Sequence, residues 1–160
     1  MTKDKKWTTR LEVEELIYDY AAAIDDDRLE EWPEFFVDEC EYKIIPRENF
    51  DNDMPACIIY CNNKRMLMDR ITALRKANIF EEHYSRHILS GVRIIDETND
   101  VIHAECSYLV LQTRTDGETK IYNAGKMVDE IVRVDGALKF RSKSCIFDTH
   151  MINTLMVTPI

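Results

Sequence analysis

The stretch that decides the fold is VIHAECSYLVLQT (Val101–Thr113), TKIYNAGKMVDEIVRV (Thr119–Val134) and LKFRSKSCIF (Leu138–Phe147). These runs are rich in β-branched and aromatic residues. Asp116-Gly117 and Asp135-Gly136 separate them, and such dipeptides readily take the positive φ of tight hairpin turns. They predict a meander of three long antiparallel strands, with His87 to Ile95 as a further strand ahead of it. Strands this long twist and coil rather than lie flat. Gly125, in the middle of the second run, is the expected place for a bulge or bend.

Working toward the amino terminus, the pattern turns helical. Val13, Leu16, Ile17, Tyr20, Ala21 and Ile24 recur at helical intervals, and Thr9 with Glu12 has capping-box spacing. Asp25-Asp26-Asp27 ends this helix, and Asp27 with Glu30 predicts the cap of a short second helix through Trp32. Glu41–Ile45 is a strand stopped by Pro46, and 47–55 is an exposed loop. Ala56–Cys61 is a short strand, and Lys64–Asn78 is a helix with Leu67, Ile71 and Leu74 on one stripe. Helices followed by a long antiparallel sheet give an α+β architecture. A coiled sheet with helices on its concave face is a cone, the cystatin-like or nuclear-transport-factor-2-like (NTF2-like) arrangement. The expectation is one such domain over 1–160, with 1–8 as a flexible arm.

Composition narrows the function. The 160 residues carry a net charge of −9, so phosphate backbones and anionic membranes are poor partners. No apolar run approaches the length of a membrane span, and no apolar segment follows the lysines near the amino terminus, so a cytoplasmic location is expected. The five cysteines, Cys40, Cys57, Cys61, Cys106 and Cys145, have no disulfide-framework spacing and are expected to be reduced.

The candidate chemistry is sparse. His83 and His87 could share a metal on a helix, but in a strand they lie roughly 13 Å apart at about 3.3 Å per residue, too far for one ion. Cys57 and Cys61 have zinc-like spacing but no second pair to complete the ligand set. The C-x-H and C-x-x-H pairs of a Rieske cluster do not occur, nor do G-x-S-x-G or a phosphate-binding glycine loop. An apolar pocket inside the cone, with Tyr18, Asp25, His87 and Tyr108 as acid, base and orienting phenols, is the remaining enzyme reading.

Two blocks carry a resemblance. The first is Asp25-x-x-Arg28-Leu29-Glu30-Glu31-Trp32-x-x-Phe35-Phe36-x-x-Glu39-Cys40-x-Tyr42, with Pro46 beyond. The second runs from Tyr60-Cys61-Asn62-Asn63-Lys64 through Asp69-Arg70-Ile71-x-x-Leu74-Arg75 and Ala77-Asn78-Ile79-Phe80 to Ser85-Arg86-His87. In order and spacing they resemble the beta (small) subunits of aromatic-ring-hydroxylating dioxygenases over about Leu11 to Phe147. Many members carry acidic residues where Asn62-Asn63 stand, and a longer insert before Ser85. The compact form is similar to the anthranilate, benzoate and salicylate type.

The resemblance implies a partner alpha subunit that holds a Rieske 2Fe-2S cluster and mononuclear iron. It further implies an NAD(P)H- and O2-dependent holoenzyme acting on an aromatic acid, and an α3β3 hexamer built on a trimer of this chain. It implies that this chain is structural, with no catalytic, cofactor-binding or metal-binding residue of its own. Arg65, Met66, Met68, Arg70, Arg75 and Arg86 have the chemistry enriched at subunit contacts. The alternative is an autonomous NTF2-like isomerase or dehydratase, or a small-molecule binding module.

Overall fold

Helix α1 (Lys3–Asp25) opens the chain in the computed structural model, which describes residues 3–149, 152 and 156–160, with backbone alone for 3–5. The expected stripe, from Val13 through Tyr20 to Ile24, is buried. The helix starts at Lys3 rather than at Thr9, so the part of the expected arm that is described is helical; Met1 and Thr2 lie outside the described residues. Neither proline nor glycine interrupts 3–8, and Thr9 is buried within the helix rather than capping it.

The second helix expected after Asp27 is not formed. Asp27 has a φ of 57°, and Arg28 N–H donates to Ala23 O across it, at 2.8 Å. Asp27 is thus the left-handed residue that closes α1 in a Schellman-type turn, and so it cannot cap a following helix. A turn and a 3₁₀ segment (Trp32–Phe35) follow, and Trp32 is fully buried.

Strand β1 (Phe36–Pro46) starts five residues earlier than the sequence pattern suggested. Helix α2 (Arg47–Asp51) occupies part of the expected loop. Strand β2 is only Ile59–Cys61; Ile58 N–H still donates to Ile44 O at 2.8 Å, but Pro55 to Cys57 lie outside the ladder with β1. Helix α3 (Lys64–Lys76) is capped by Asn63, whose side chain accepts from Met66 N–H at 2.9 Å, and it buries Leu67, Ile71 and Leu74. Asn78 lies just past its end.

Four long strands complete the chain: β3 (His83–Thr98), β4 (Val101–Arg114), β5 (Thr119–Val134) and β6 (Ala137–Phe147). The sheet order is β2-β1-β6-β5-β4-β3. The meander is as expected, and β1 joins it by pairing parallel to β6. The turn between β5 and β6 places both Asp135 and Gly136 at positive φ, as a two-residue hairpin turn requires. Gly125 is not the bulged residue. The register of β4 and β5 jumps at Tyr122, between the pairs Val110–Asn123 and Leu111–Ile121. Gly125 is needed instead for close approach, since a Cβ there would fall 1.9 Å from the carbonyl oxygen of Ile146.

The register of β5 and β6 jumps as well. Counting from the Asp135-Gly136 turn, Ile131 faces Phe140, but Glu130 faces Ser142 and Asp129 faces Lys143. The extra residue, Arg141, reverses which residues of β6 point inward. Phe140 is inward before it; Lys143, Cys145 and Phe147 are inward after it. α1 and α3 cover this inner face, and an aromatic cluster of Tyr20, Trp32, Phe36, Tyr42 and Phe140 fills it. Its ring centroids are 5.1–6.2 Å apart, mostly edge to face.

Candidate functional site

The polar groups of the molecule's interior are delivered by different elements to one space. The last turns of α1 bring Tyr20 and Asp25, and β1 brings Tyr42. β3 brings His87, β4 Tyr108, β5 Asn123 and Asp129, and β6 Lys143 and Cys145.

Two of the four pocket residues expected from sequence meet. Asp25 accepts from His87 twice: Oδ2 from the backbone N–H at 2.8 Å and Oδ1 from Nδ1 at 2.6 Å. Both side chains are nearly inaccessible to solvent. The pair fixes the ring, with Nδ1–H toward the carboxylate and Nε2 enclosed without a hydrogen-bond partner among the described residues. Tyr108 is also inside, and its hydroxyl donates to Asn123 Oδ1. Burial pushes the Tyr108 phenol well above its usual range, so it stays a donor. Tyr18 is not part of the group: it is half exposed on the opposite face of α1 from Tyr20.

Sequence reasoning missed the deepest features. Lys143 Nζ contacts both carboxylate oxygens of Asp129 and lies 4.6 and 4.2 Å from the ring centroids of Tyr20 and Phe140. The segment Met156–Ile160 turns back into the cone, with Met156, Val157 and Ile160 buried. The hydroxyls of Tyr20 and Tyr42 both donate to Ile160 O, the second at 3.0 Å, and Ile160 N–H donates to the Tyr42 oxygen at 3.0 Å. Cys145 Sγ also approaches Ile160 O, at 3.4 Å. Burial raises both phenols well above the usual range and Cys145 to about 12, so the three act as neutral donors. Nothing local in the sequence signals this contact, since 118 residues separate Tyr42 from Ile160.

The other candidates stay apart. His83 and His87 lie in the same strand; His83 Nδ1 meets Glu81 O, and its ring stands against Phe80. Cys57 lies outside β2, with its thiol on Pro55 O, while Cys61 is buried within the strand. All five cysteines are free, and no three His, Cys, Asp or Glu side chains gather among the described residues. Of the candidate interface residues, Arg75 is engaged within the chain, bound to Asp27 and Glu30 at 2.8–3.1 Å. Arg65, Met66, Met68 and Arg86 are exposed.

A sheet curled around a helix, with polar groups converging in the interior, defines the cystatin-like, NTF2-like class. The fold is shared with a crystal structure described as a scytalone dehydratase from Novosphingobium aromaticivorans, at TM-score 0.70 and 19% identity, covering 89% of this chain and 86% of that one. The family is more specific. Residues 20–154 match the model of the ring hydroxylating beta subunit family, and the chain belongs to that family. It is 44% identical to the small subunit of anthranilate 1,2-dioxygenase from Burkholderia cepacia, over all of this chain and 98% of the relative. A crystal structure described as the beta subunit of an aromatic-ring-hydroxylating dioxygenase from N. aromaticivorans superimposes at TM-score 0.88. It is 47% identical and covers 96% of this chain and 98% of that one. The chain is therefore a component of an oxidoreductase system of the dioxygenase type.

Proposed function

We propose that this chain is the non-catalytic scaffold of an oxygenase that hydroxylates an aromatic acid, working in the cytoplasm as one domain of an α3β3 hexamer. The alpha subunit carries the Rieske cluster and the mononuclear iron, and this chain contributes no residue to the oxygen chemistry. The observation that carries the reading is the interior of the cone, occupied by the chain's own Met156–Ile160 and tied by Tyr20 and Tyr42. Ring oxidation needs an accessible pocket beside redox metal; among the described residues the inward-facing polar groups are phenols, a lysine–carboxylate pair, an aspartate–histidine pair and separate cysteines. The likeness to the anthranilate 1,2-dioxygenase small subunit supports an aromatic acid as the substrate of the assembly.

The Asp25–His87 pair is the one observation that favours an autonomous isomerase or dehydratase. The filled interior weighs against it. Co-expression with a cognate alpha subunit tests the assignment. The expected result is a hexamer by light scattering whose ring oxidation requires the alpha subunit. Ring oxidation by the isolated chain, or failure to bind any alpha subunit, would overturn it.

A further inference from the structure

Met156–Ile160 sits in the cone as a ligand sits in a pocket, and it is an incomplete occupant. It satisfies the hydroxyls of Tyr20 and Tyr42, yet three fully enclosed polar atoms around the interior have no hydrogen-bond partner among the described residues: Trp32 Nε1, His87 Nε2 and Asn123 Nδ2. Unpaired buried groups of this kind are costly, so they mark places where a different occupant would be held better. Trp32 belongs to the same end of the pocket as the two phenols. Its ring packs 5.1 Å from that of Tyr42, and its Nε1 lies toward the Tyr20 hydroxyl without completing a bond to it.

Three donors meet Ile160 O, the phenols of Tyr20 and Tyr42 and the Cys145 thiol, and the indole N–H of Trp32 lies beside the Tyr20 hydroxyl. A buried ammonium, Lys143, sits over the ring of Tyr20. The rings of Phe36 and Phe140 pack against the two phenols, and Val110 and Met127 belong to the same buried core. Donors converging on one oxygen, within an apolar core, match a carboxylate on an apolar body. His87, Val110 and Asn123 form one row across β3, β4 and β5 on the inner face, so the polar atoms beyond the body of such a ligand are His87 Nε2 and Asn123 Nδ2.

The segment reaches the surface at Thr158, which is half-buried. Thr158 stands at the rim of a cavity of about 390 Å3 that is also lined by Asp25, Leu74, Arg75, Tyr84 and Ser85. From that rim the chain passes inward to Ile160.

We propose that the interior of the cone is a binding site for a small apolar monocarboxylate, held by Tyr20, Tyr42 and Trp32, and that Met156–Ile160 occupies it in cis. Binding to this chain alone is read without an alpha subunit, so the test does not depend on the proposed assembly.

The test uses the intact chain with benzoate as the probe and benzyl alcohol, the same ring without the carboxylate, as the control. Amide hydrogen exchange of Val157 and Ile160 is followed as each compound is added. The expected result is a saturable acceleration of exchange at both amides with benzoate and none with benzyl alcohol. Tyr42→Phe is expected to weaken the benzoate effect about tenfold. In a second measurement, a chain ending at residue 155 is expected to melt at lower temperature and to be restabilised by benzoate, or by the peptide Met-Val-Thr-Pro-Ile added in trans. Equal effects of benzoate and benzyl alcohol, or no change in exchange at either amide of the intact chain, would overturn the proposal even if the shortened chain does not fold.

Discussion

Lys143 and Asp129 face each other across β5 and β6 as a closed ion pair, with Nζ 3.0 and 2.9 Å from the two carboxylate oxygens and neither side chain exposed. Two opposed influences act on Asp129. Burial raises its pKa, and the adjacent ammonium lowers it, with burial the larger. The rings of Tyr20 and Phe140 turn their faces to the ammonium and replace part of its lost hydration. A pair this dry is costly to break from one side and less costly to remove whole. Lys143→Met alone is expected to destabilise the chain by about 3–5 kcal/mol, because it leaves a buried, unpaired carboxylate. The double replacement Asp129→Leu with Lys143→Met is expected to recover most of that loss. Denaturation midpoints in guanidinium for the two single variants and the double variant decide it, and additive losses would contradict the account.

The route to that pair also shows where the sequence is legible. The hairpins were readable because Asp116-Gly117 and Asp135-Gly136 punctuate long β-prone runs, and Gly117 and Gly136 do take positive φ. Counting outward from Asp135-Gly136 without a bulge sets Asp129 opposite Ser142, with Lys143 pointing outward. The bulge at Arg141 reverses the alternation and turns Lys143 inward, and no residue type announces such an insertion. Asp25 and His87 were both visible as chemistry-bearing residues, but their meeting depends on where α1 ends against β3, 62 residues away in sequence. Asp27 misled because an aspartate suits both an N-cap and a left-handed C-terminal position. Met156–Ile160 stayed hidden because its partners, Tyr20 and Tyr42, read simply as core aromatics.

Gly125 supports a sharp steric prediction. It pairs with Tyr108 on one side and Phe147 on the other, and an added Cβ would meet three backbone atoms of Ile146 and Phe147 within 3 Å. Backbone cannot swing aside as a side chain can. Gly125→Ala is expected to cost at least about 2–3 kcal/mol and to lower the melting temperature by roughly 5–10 °C, read by calorimetry. A change within about 1 °C would show that β5 and β6 separate more easily than this geometry implies.

The turn between β3 and β4 offers a stabilising change. Asn99 and Asp100 form a two-residue loop with φ of 53° and 62°, and Thr98 pairs with Val101 across it. This is the backbone of a type I′ turn, for which Asn-Gly is preferred over Asn-Asp. Asp100→Gly is expected to stabilise the chain by about 0.5 kcal/mol, despite the greater freedom of glycine in the unfolded state. Asp100→Pro, which locks φ near −65°, is expected to destabilise it clearly. Paired thermal melts should move in opposite directions, and a loss of stability with glycine would refute the type I′ assignment.

Arg75 links the end of α3 to the turn after α1, and its bonds make a pH-dependent clamp. Its guanidinium meets Glu30 at 2.8 and 3.1 Å and Asp27 at 3.0 and 2.9 Å, with a further bond to Asp27 O. The Arg75 hydrogen bond is the largest influence on Glu30 and holds its carboxyl below the usual glutamate value. A carboxylate depressed in the folded state adds stability that is fully present above its unfolded value, near 4.5, and is lost as pH falls through the depressed value. The clamp is solvent-exposed, so the gain is modest, about 0.5–1 kcal/mol, and salt weakens it. Arg75→Gln is expected to lower the melting temperature by roughly 1–4 °C at pH 7 and low salt. The gap from the unmodified chain should narrow in about 1 M NaCl, where the Debye length is near 3 Å, and close as pH falls well below 4.5. Melting curves from pH 7 to pH 3 at two salt concentrations measure both trends. A gap independent of pH and salt would assign the role of Arg75 to packing of its alkyl chain rather than to its charge.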